Sequence, residues 1–323
     1  MKYRHIMGTI ISRRLGKSLG VNLIPGKICS LDCVYCEAGR TLSLTTERKD
    51  FFPAEEVIEE LRCYINENPD IDFITYSGAG EPTLYAALGE VSQHIKEEFG
   101  NYKLALITNG TLFYREDVRR DAMFADLVMP SLDAVSQAIF NEVNKPEASL
   151  DNKKIIDGLC EFRRDYKGQM WLEYFVVPGV NDSADELKLM KEAVVKINPD
   201  RLQLNSLDRP SPGNNVAIAT RKRLEELKEY FDDSGIFTEI ISRIPQDCKT
   251  TESEIIKMLA DKPTAIDEIR SKFKSCDNAI SNLTLNGKIE MCEKDGVSFY
   301  RLKNKNGGST SSPTNSSTSF ATN

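Results

Sequence analysis

From residue 53 to residue 233 the chain repeats one unit, a short apolar run followed by a longer stretch with apolar residues at helical spacing. The series opens at 53–66, with proline at the first turn and Val57, Ile58, Leu61 and Ile65 on one face. Strands are predicted at 72–76, 102–107, 126–130, 170–177 and 200–205. Helices are predicted at 84–99, 114–121, 135–141, 151–166, 183–197 and 220–233. Such alternation implies an α/β chain with a parallel sheet and helices outside it. In such folds function sits in loops at the carboxyl ends of the strands. Every predicted strand ends in small or polar residues: Ser77-Gly78-Ala79-Gly80-Glu81-Pro82, Thr108-Asn109-Gly110, Ser131-Leu132-Asp133, 178–182, and Asn205-Ser206-Leu207-Asp208-Arg209-Pro210.

Upstream of the series stands Cys29-Ser30-Leu31-Asp32-Cys33-Val34-Tyr35-Cys36, three thiols spaced C-x3-C-x2-C just after the apolar run 20–24. Pro25 and Gly26 bend the chain before them, so the three can converge on one inorganic centre. Two metals suit the thiols. A structural zinc takes four protein ligands and a catalytic one takes three plus water. An iron–sulfur cube takes one thiolate per iron, so three cysteines leave one iron open.

The 323 residues suffice for about two domains. Hydrophobic content of 40% and charged content of 28% are those of an ordinary globular chain. No apolar run approaches the ~20 residues of a membrane-crossing helix. The start Met1-Lys2-Tyr3-Arg4-His5 is not followed by the apolar segment of a secretory signal. Eight cysteines in such a chain predict free thiols, metal and a reducing, cytoplasmic setting.

The two histidines, His5 and His94, stand at ligand spacing from nothing, and His94 is expected at the surface. A net charge of −7 argues against a polyanion grip over the whole protein and leaves room for a local basic site. Arg13, Arg14 and Lys17, beside Gly16 and Gly20, read either as a solvated leading segment or as an arginine pair facing a cleft and holding an anion. Cys63 and Cys160 read as packing residues within helices. Cys248, Cys276 and Cys292 show no C-x2-C pairing, and a second cluster built from them is a minor alternative.

The C-x3-C-x-aromatic-C pattern, with Tyr35 as the aromatic, resembles the signature of the radical SAM enzymes. The likeness extends to Ser12-Arg13-Arg14-Leu15-Gly16, to Cys36-Glu37-Ala38-Gly39-Arg40-Thr41 and to Ser77-Gly78-Ala79-Gly80-Glu81-Pro82-Thr83-Leu84, which resemble the branch of iron–sulfur oxidoreductases related to the tRNA wyosine-synthesis enzyme. It covers about residues 8 to 240. It implies a partial (β/α)6 TIM-like barrel over 1–245 and a 4Fe-4S cluster on Cys29, Cys33 and Cys36, its open iron chelating S-adenosylmethionine (SAM). One electron from a flavodoxin- or ferredoxin-type reductant then cleaves the sulfonium, and a 5′-deoxyadenosyl radical abstracts hydrogen from a substrate, be it RNA, peptide or small molecule. The wyosine-synthesis relatives carry extra cysteines upstream of the motif, and this chain has none before Cys29.

The same resemblance assigns site residues. Gly78, Ala79, Gly80 and Glu81 stand at the family's Gly-Gly-Glu motif, with Ala79 in place of one glycine, where bare backbone meets the methionyl amine of SAM. Thr108 and Asn109 fall at the ribose or methionyl end, Ser131 at a ribose hydroxyl, and Gln203 and Asn205 around the adenine or carboxylate. Tyr35 is expected near the adenine ring, and Asp133 and Arg209 toward substrate; apart from the resemblance, the Arg13-Arg14 pair in its cleft-facing reading holds an anionic substrate or the SAM carboxylate. For the polar strand-end residues, ordinary turn chemistry is the competing reading.

Near residue 245 the alternation stops. Helices are expected at 252–260, at 264–273 with Thr264 as N-cap, and at 276–285 ended by Asn286-Gly287. A hairpin 288–302 turns at Asp295-Gly296. Three helices and a hairpin resemble a winged helix over 246–303. Residues 251–303 carry nine basic and nine acidic side chains, and 276–286 has no Lys or Arg. That charge argues against DNA binding and for docking a substrate or covering the barrel. A zinc-stabilised winged-helix regulator without catalysis is the alternative reading of the whole chain. Residues 304–323, rich in Asn, Gly, Ser and Thr, are predicted to be disordered.

Overall fold

The computed structural model describes residues 3–207, 216–242, 248–273, 276–294 and 297–303, and the chain divides into two compact units, Met1–Gln246 and Asp247–Asn323. Asp208, Arg209 and Pro210, the linker at Pro245, the Asp295-Gly296 turn and the 304–323 tail lie outside the described residues.

The first unit begins with β1 (Ile6–Ser12) and β2 (Gly16–Val21), an antiparallel hairpin. The two-residue strands β3 (Ile28–Cys29) and β4 (Ser43–Leu44) pair within the cysteine loop. Then come α1 (Ala54–Glu67), β5 (Phe73–Tyr76), α2 (Leu88–Glu98), β6 (Lys103–Thr108), α3 (Glu116–Ala122) and β7 (Leu127–Pro130). The series continues through α4 (Gln137–Val143), α5 (Asn152–Asp165), β8 (Gln169–Phe175), α6 (Ala184–Ile197), β9 (Arg201–Asn205), α7 (Arg221–Asp232) and β10 (Thr238–Ile240). Side chains cap the later helices: Ser136 for α4, Asp151 for α5, Ser183 for α6 and Thr220 for α7 each accept a first-turn N–H.

Among the described residues one eight-stranded sheet results, ordered β1-β2-β5-β6-β7-β8-β9-β10 and parallel from β2 onward. Side chains alternate across it. On β9, Leu202 and Leu204 are buried on one face while Arg201, Gln203 and Asn205 share the other. On the same face as the latter set, Leu15, Ala105, Leu127 and Met129 pack with Phe73, Ile107 and Trp171. The parallel register carries the carboxyl ends of β2 and of β5 to β10, and with them the cysteine loop after β2, to one side.

Five of the eight strands are predicted by the sequence, and three escape it. β1 and β2 fall where a solvated leading segment was one reading. Exposed Met7, Ile10 and Ile11 break the period-2 pattern of β1, an edge strand, and Gly16 and Gly20 weaken the strand signal of β2. β10 is three residues long, too short to register as periodicity. Cys63 is exposed on α1, which corrects its reading as a packing residue.

Gly158 of α5 lies against the backbone of the turn between β6 and α3. A Cβ there would stand 2.5 Å from the Phe113 carbonyl group and from the Tyr114 nitrogen. Backbone cannot yield as a side-chain tip can, so Gly158→Ala is expected to lower stability by about 1–3 kcal/mol. A urea melt of the variant beside the wild type, with unchanged slope and a lower midpoint, checks it.

The second unit contains α8 (Cys248–Asp261), β11 (Thr264–Ala265), α9 (Ile266–Lys272), α10 (Asp277–Leu285), β12 (Ile289–Lys294) and β13 (Val297–Leu302). The strands form a small antiparallel sheet ordered β11-β13-β12. Ile255, Leu259, Ile269, Cys276, Ala279, Ile280, Leu283 and Ile289 make its core. Gly287 takes φ +62° after α10, as the Asn286-Gly287 pair predicts. Thr264 is not a helix cap: it pairs with Tyr300 in the sheet, and its hydroxyl donates to the Lys262 carbonyl. Cys292 donates to the Phe299 carbonyl at 3.6 Å, and the Cys248 side chain lies outside the described residues.

Candidate functional site

The cysteine loop is tied down by its own backbone. Asp32 N–H donates to the Asn144 carbonyl at 3.0 Å and Val34 N–H to Val143 at 2.9 Å, which fastens the loop to the end of α4. Glu81 N–H donates to the Ile28 carbonyl at 3.0 Å, which fastens it to the turn after β5. A Cβ on Gly80 would stand 2.5 Å from that same carbonyl oxygen, so only glycine allows this approach. The Thr41 N–H and hydroxyl close the loop on Asp32 and on the Leu31 carbonyl, both at 2.7 Å.

Cys29, Cys33 and Cys36 face one cavity of about 240 Å³, lined also by Tyr35, Gly78, Ala79, Gly80, Glu81, Thr108, Asn109 and Ser131. Eleven of the thirteen residues singled out from the sequence therefore meet there. Gln203 and Asn205 do not. They line a neighbouring cavity of about 530 Å³ with Arg13 and Arg14. A backbone bridge links Ser131 to Glu173, and Asn205 donates to the Glu173 carboxylate at 3.3 Å.

Each sulfur receives a nitrogen donor. Asn109 Nδ2 lies 3.4 Å from Cys29 Sγ, Asn144 Nδ2 lies 3.3 Å from Cys33 Sγ, and the Lys27 ammonium meets Cys36 Sγ. Burial, then the nearby Glu81 charge, pushes the Cys29 thiol up to about 11. Burial and then Asp133 push Cys33 up further. Thiolates at such places call for a bound cation to offset their charge. Three half-buried cysteines, each with a donor, backed by glycine-lined backbone, fit an iron–sulfur cluster with one iron left for a ligand. Among the described residues, no group of three or more His, Cys, Asp or Glu side chains is drawn together closely enough to hold a single metal ion.

Glu81 is fully buried and accepts four hydrogen bonds, from the Thr83 N–H and hydroxyl at 3.0 and 2.7 Å, the Thr108 hydroxyl at 2.6 Å and the Asn109 N–H at 2.8 Å. Burial raises its carboxyl while these bonds pull the other way. Its side chain thus fixes the Thr108-Asn109 turn that aims Asn109 at Cys29. Tyr35 stacks on Phe175 with centroids 3.8 Å apart and planes 8° apart. Its hydroxyl donates to Asp133, which also accepts from Asn144 Nδ2 at 2.6 Å and from the Phe175 N–H at 3.0 Å. Burial, against these three donors, lifts the Asp133 carboxyl to about 6. Asp133 is turned inward to the cysteine loop.

Lys27 and Asn144 were not anticipated. Lys27 is an isolated lysine two residues before Cys29, and Asn144 reaches Cys33 from 111 residues away in sequence. His94 sits between Arg62 and Glu98 on the outer face, away from the cysteines.

A model of the radical SAM superfamily matches residues 23–190. A UPF0026 protein of Methanocaldococcus jannaschii is 31% identical over 318 residues, covering 92% of this chain and 95% of its own. A Brachyspira hyodysenteriae protein named GTPase Obg is 35% identical over 94% of this chain, and the chain spans only 46% of that protein. No phosphate-binding G-x4-G-K-[ST] run accompanies that match, because Ile11 stands where Gly16-Lys17-Ser18 would need the first glycine.

Among solved structures, a radical SAM methyltransferase from Sphaerobacter thermophilus superposes with a TM-score of 0.58 at 17% identity, covering 74% of this chain and 70% of that one. TYW1 with a lysine–pyruvate adduct gives 0.52 at 15% identity, covering 67% and 73%. These two show the fold alone, a mainly parallel α/β sheet like that of the radical SAM partial barrel. Among the described residues no helix is long and apolar enough to cross a membrane. With the superfamily model over half of its length and a 31% relative matched almost end to end, the chain belongs to the radical SAM superfamily and, within it, to the UPF0026 family.

Proposed function

We propose that Cys29, Cys33 and Cys36 hold a 4Fe-4S cluster and that SAM binds beside it, against Gly78 to Glu81, Thr108, Asn109 and Ser131. The observation that carries this reading is the convergence of the three cysteines and those strand-end residues on one cavity, each sulfur with its own nitrogen donor. When bound, the pair supplies one-electron cleavage of the SAM sulfonium and a 5′-deoxyadenosyl radical that takes hydrogen from substrate.

The chain's own residues hold, orient and shield. Gly78, Ala79 and Gly80 would offer backbone carbonyls to the methionyl amine. Glu81 works through Thr108 and Asn109, holding their turn in place. Asn109, Asn144 and Lys27 donate to the ligand sulfurs and so stabilise the reduced, more negative state of the site. Tyr35 and Phe175 form an aromatic wall on the side of Cys33 and Cys36, braced by Asp133.

Electrons come on this reading from a flavodoxin- or ferredoxin-type protein. We read the second unit as a winged-helix-like module that docks the substrate, supported by its three helices, its small antiparallel sheet and a third helix without Lys or Arg. Kinship with the wyosine-synthesis branch is a finer reading, supported by the sequence runs around Arg13, Cys36 and Gly78.

Anaerobic reconstitution with iron and sulfide, followed by iron counting and a 5′-deoxyadenosine assay with reductant and SAM, tests the proposal. Roughly four irons per chain and slow SAM cleavage without added substrate are expected. Zinc alone, in a chain that ignores SAM, would favour the non-catalytic regulator.

A further inference from the structure

The cavity of about 530 Å³ opens between the two edges of the sheet, β1 and its turn on one side and β8 to β10 on the other. Its lining includes three arginines, Arg13, Arg14 and Arg201, and the carboxylate of Glu239, with a second carboxylate, Glu173, paired to Arg14. That balance runs against the −7 charge of the whole chain.

The arginines are held in place. Arg14 donates to Glu173 at 2.7 Å and to Gln203 at 3.1 Å. Gln203 in turn donates to Glu239 at 2.9 Å, and Glu239 lies 3.4 Å from the Arg201 guanidinium. Arg201 lies over the Trp171 ring at 4.5 Å and near Phe237 at 5.5 Å, which fixes its plane. Arg13 reaches across the gap to the Ile241 carbonyl.

Guanidinium forks in fixed planes recognise planar or tetrahedral oxyanions. The volume suits a small molecule. Glu173, which holds Arg14, is bridged through its backbone to Ser131, and Ser131 lines the cysteine cavity, so the two cavities share neighbouring strands.

We propose that this seam cavity binds the anionic group of the substrate, a small molecule carrying a phosphate or carboxylate. The inference rests on the SAM reading above for its link to catalysis, and on the cavity alone for its ligand. Trp171 is the chain's only tryptophan and lines the cavity, so its emission reports on binding there. The probes are pyrophosphate and succinate, titrated into the full chain at constant ionic strength, with potassium chloride as control.

A saturable change in emission with one of the two is expected, and the tighter of them assigns phosphate or carboxylate. Arg13→Gln, remote from the tryptophan ring contact, and Arg201→Gln should each weaken it at least about 10-fold, or 1.4 kcal/mol. Arg13→Lys, which keeps the charge, should recover part of the loss and so exclude a folding defect. A wild-type response that merely follows the chloride control, or saturable binding that survives both glutamine variants, overturns the proposal. SAM cleavage is scored separately on the wild type. Cleavage without oxyanion binding sinks the seam inference alone, and oxyanion binding without cleavage sinks the SAM reading.

Discussion

Cys33→Ala strips the reconstituted protein of its iron and reduces 5′-deoxyadenosine formation by at least about 10³-fold, to the floor of the assay, because a cubane with one open iron has no spare ligand. Cys29→Ala and Cys36→Ala do the same. The informative contrast is Asn144→Ala. Asn144 donates to Cys33 Sγ at 3.3 Å and to Asp133 at 2.6 Å without being a ligand, so its removal leaves the three sulfurs in place. That variant is expected to keep its iron, to reduce at a more negative potential, and to lose about 10–100-fold in activity. Iron analysis and a redox titration followed by electron paramagnetic resonance separate the two outcomes. An Asn144→Ala protein with wild-type potential would show that the contact has no bearing on the metal.

The second large effect belongs to Glu81. Glu81→Ala leaves the Thr83 and Asn109 backbone N–H groups without an acceptor in a fully buried place, at about 1–3 kcal/mol each. The two hydroxyls can turn elsewhere, so the sum is on the order of 2–6 kcal/mol, a large part of the stability of a typical domain. Glu81→Gln keeps one oxygen for these donors and sets an NH2 group against others. It should fall between wild type and Glu81→Ala in a thermal melt. Both variants should weaken SAM binding, since the Thr108-Asn109 turn loses its anchor. Equal melting of Glu81→Ala and wild type would mean that the carboxylate does not brace the turn.

What the sequence disclosed and what it withheld divide on physical lines. The five central strands β5 to β9 were legible because buried parallel strands are short apolar runs bounded by turn residues. The cysteine trio and the strand-end glycines were legible because their chemistry is carried by residue type and spacing. β1, β2 and β10 were not: an edge strand with exposed Ile10 and Ile11, a strand holding two glycines and a three-residue strand each lack a period to detect.

Asn144, Lys27 and the Arg14–Gln203–Glu239–Arg201 chain were hidden for another reason. Their meaning lies in contacts between β1, β8, β9 and β10, or between the end of α4 and the cysteine loop, which spacing along one chain does not encode. Gln203 and Asn205 stand at a strand end, as their place in the sequence implies, and their position next to Arg14 rather than beside the cysteines came only with the fold.

The most direct test of the central claim is the electron paramagnetic resonance spectrum of the dithionite-reduced, iron-reconstituted protein, recorded before and after SAM is added. The expected result is a 4Fe-4S signal that shifts when SAM reaches the iron left open by Cys29, Cys33 and Cys36. A signal identical in both spectra, with four irons counted, would contradict it.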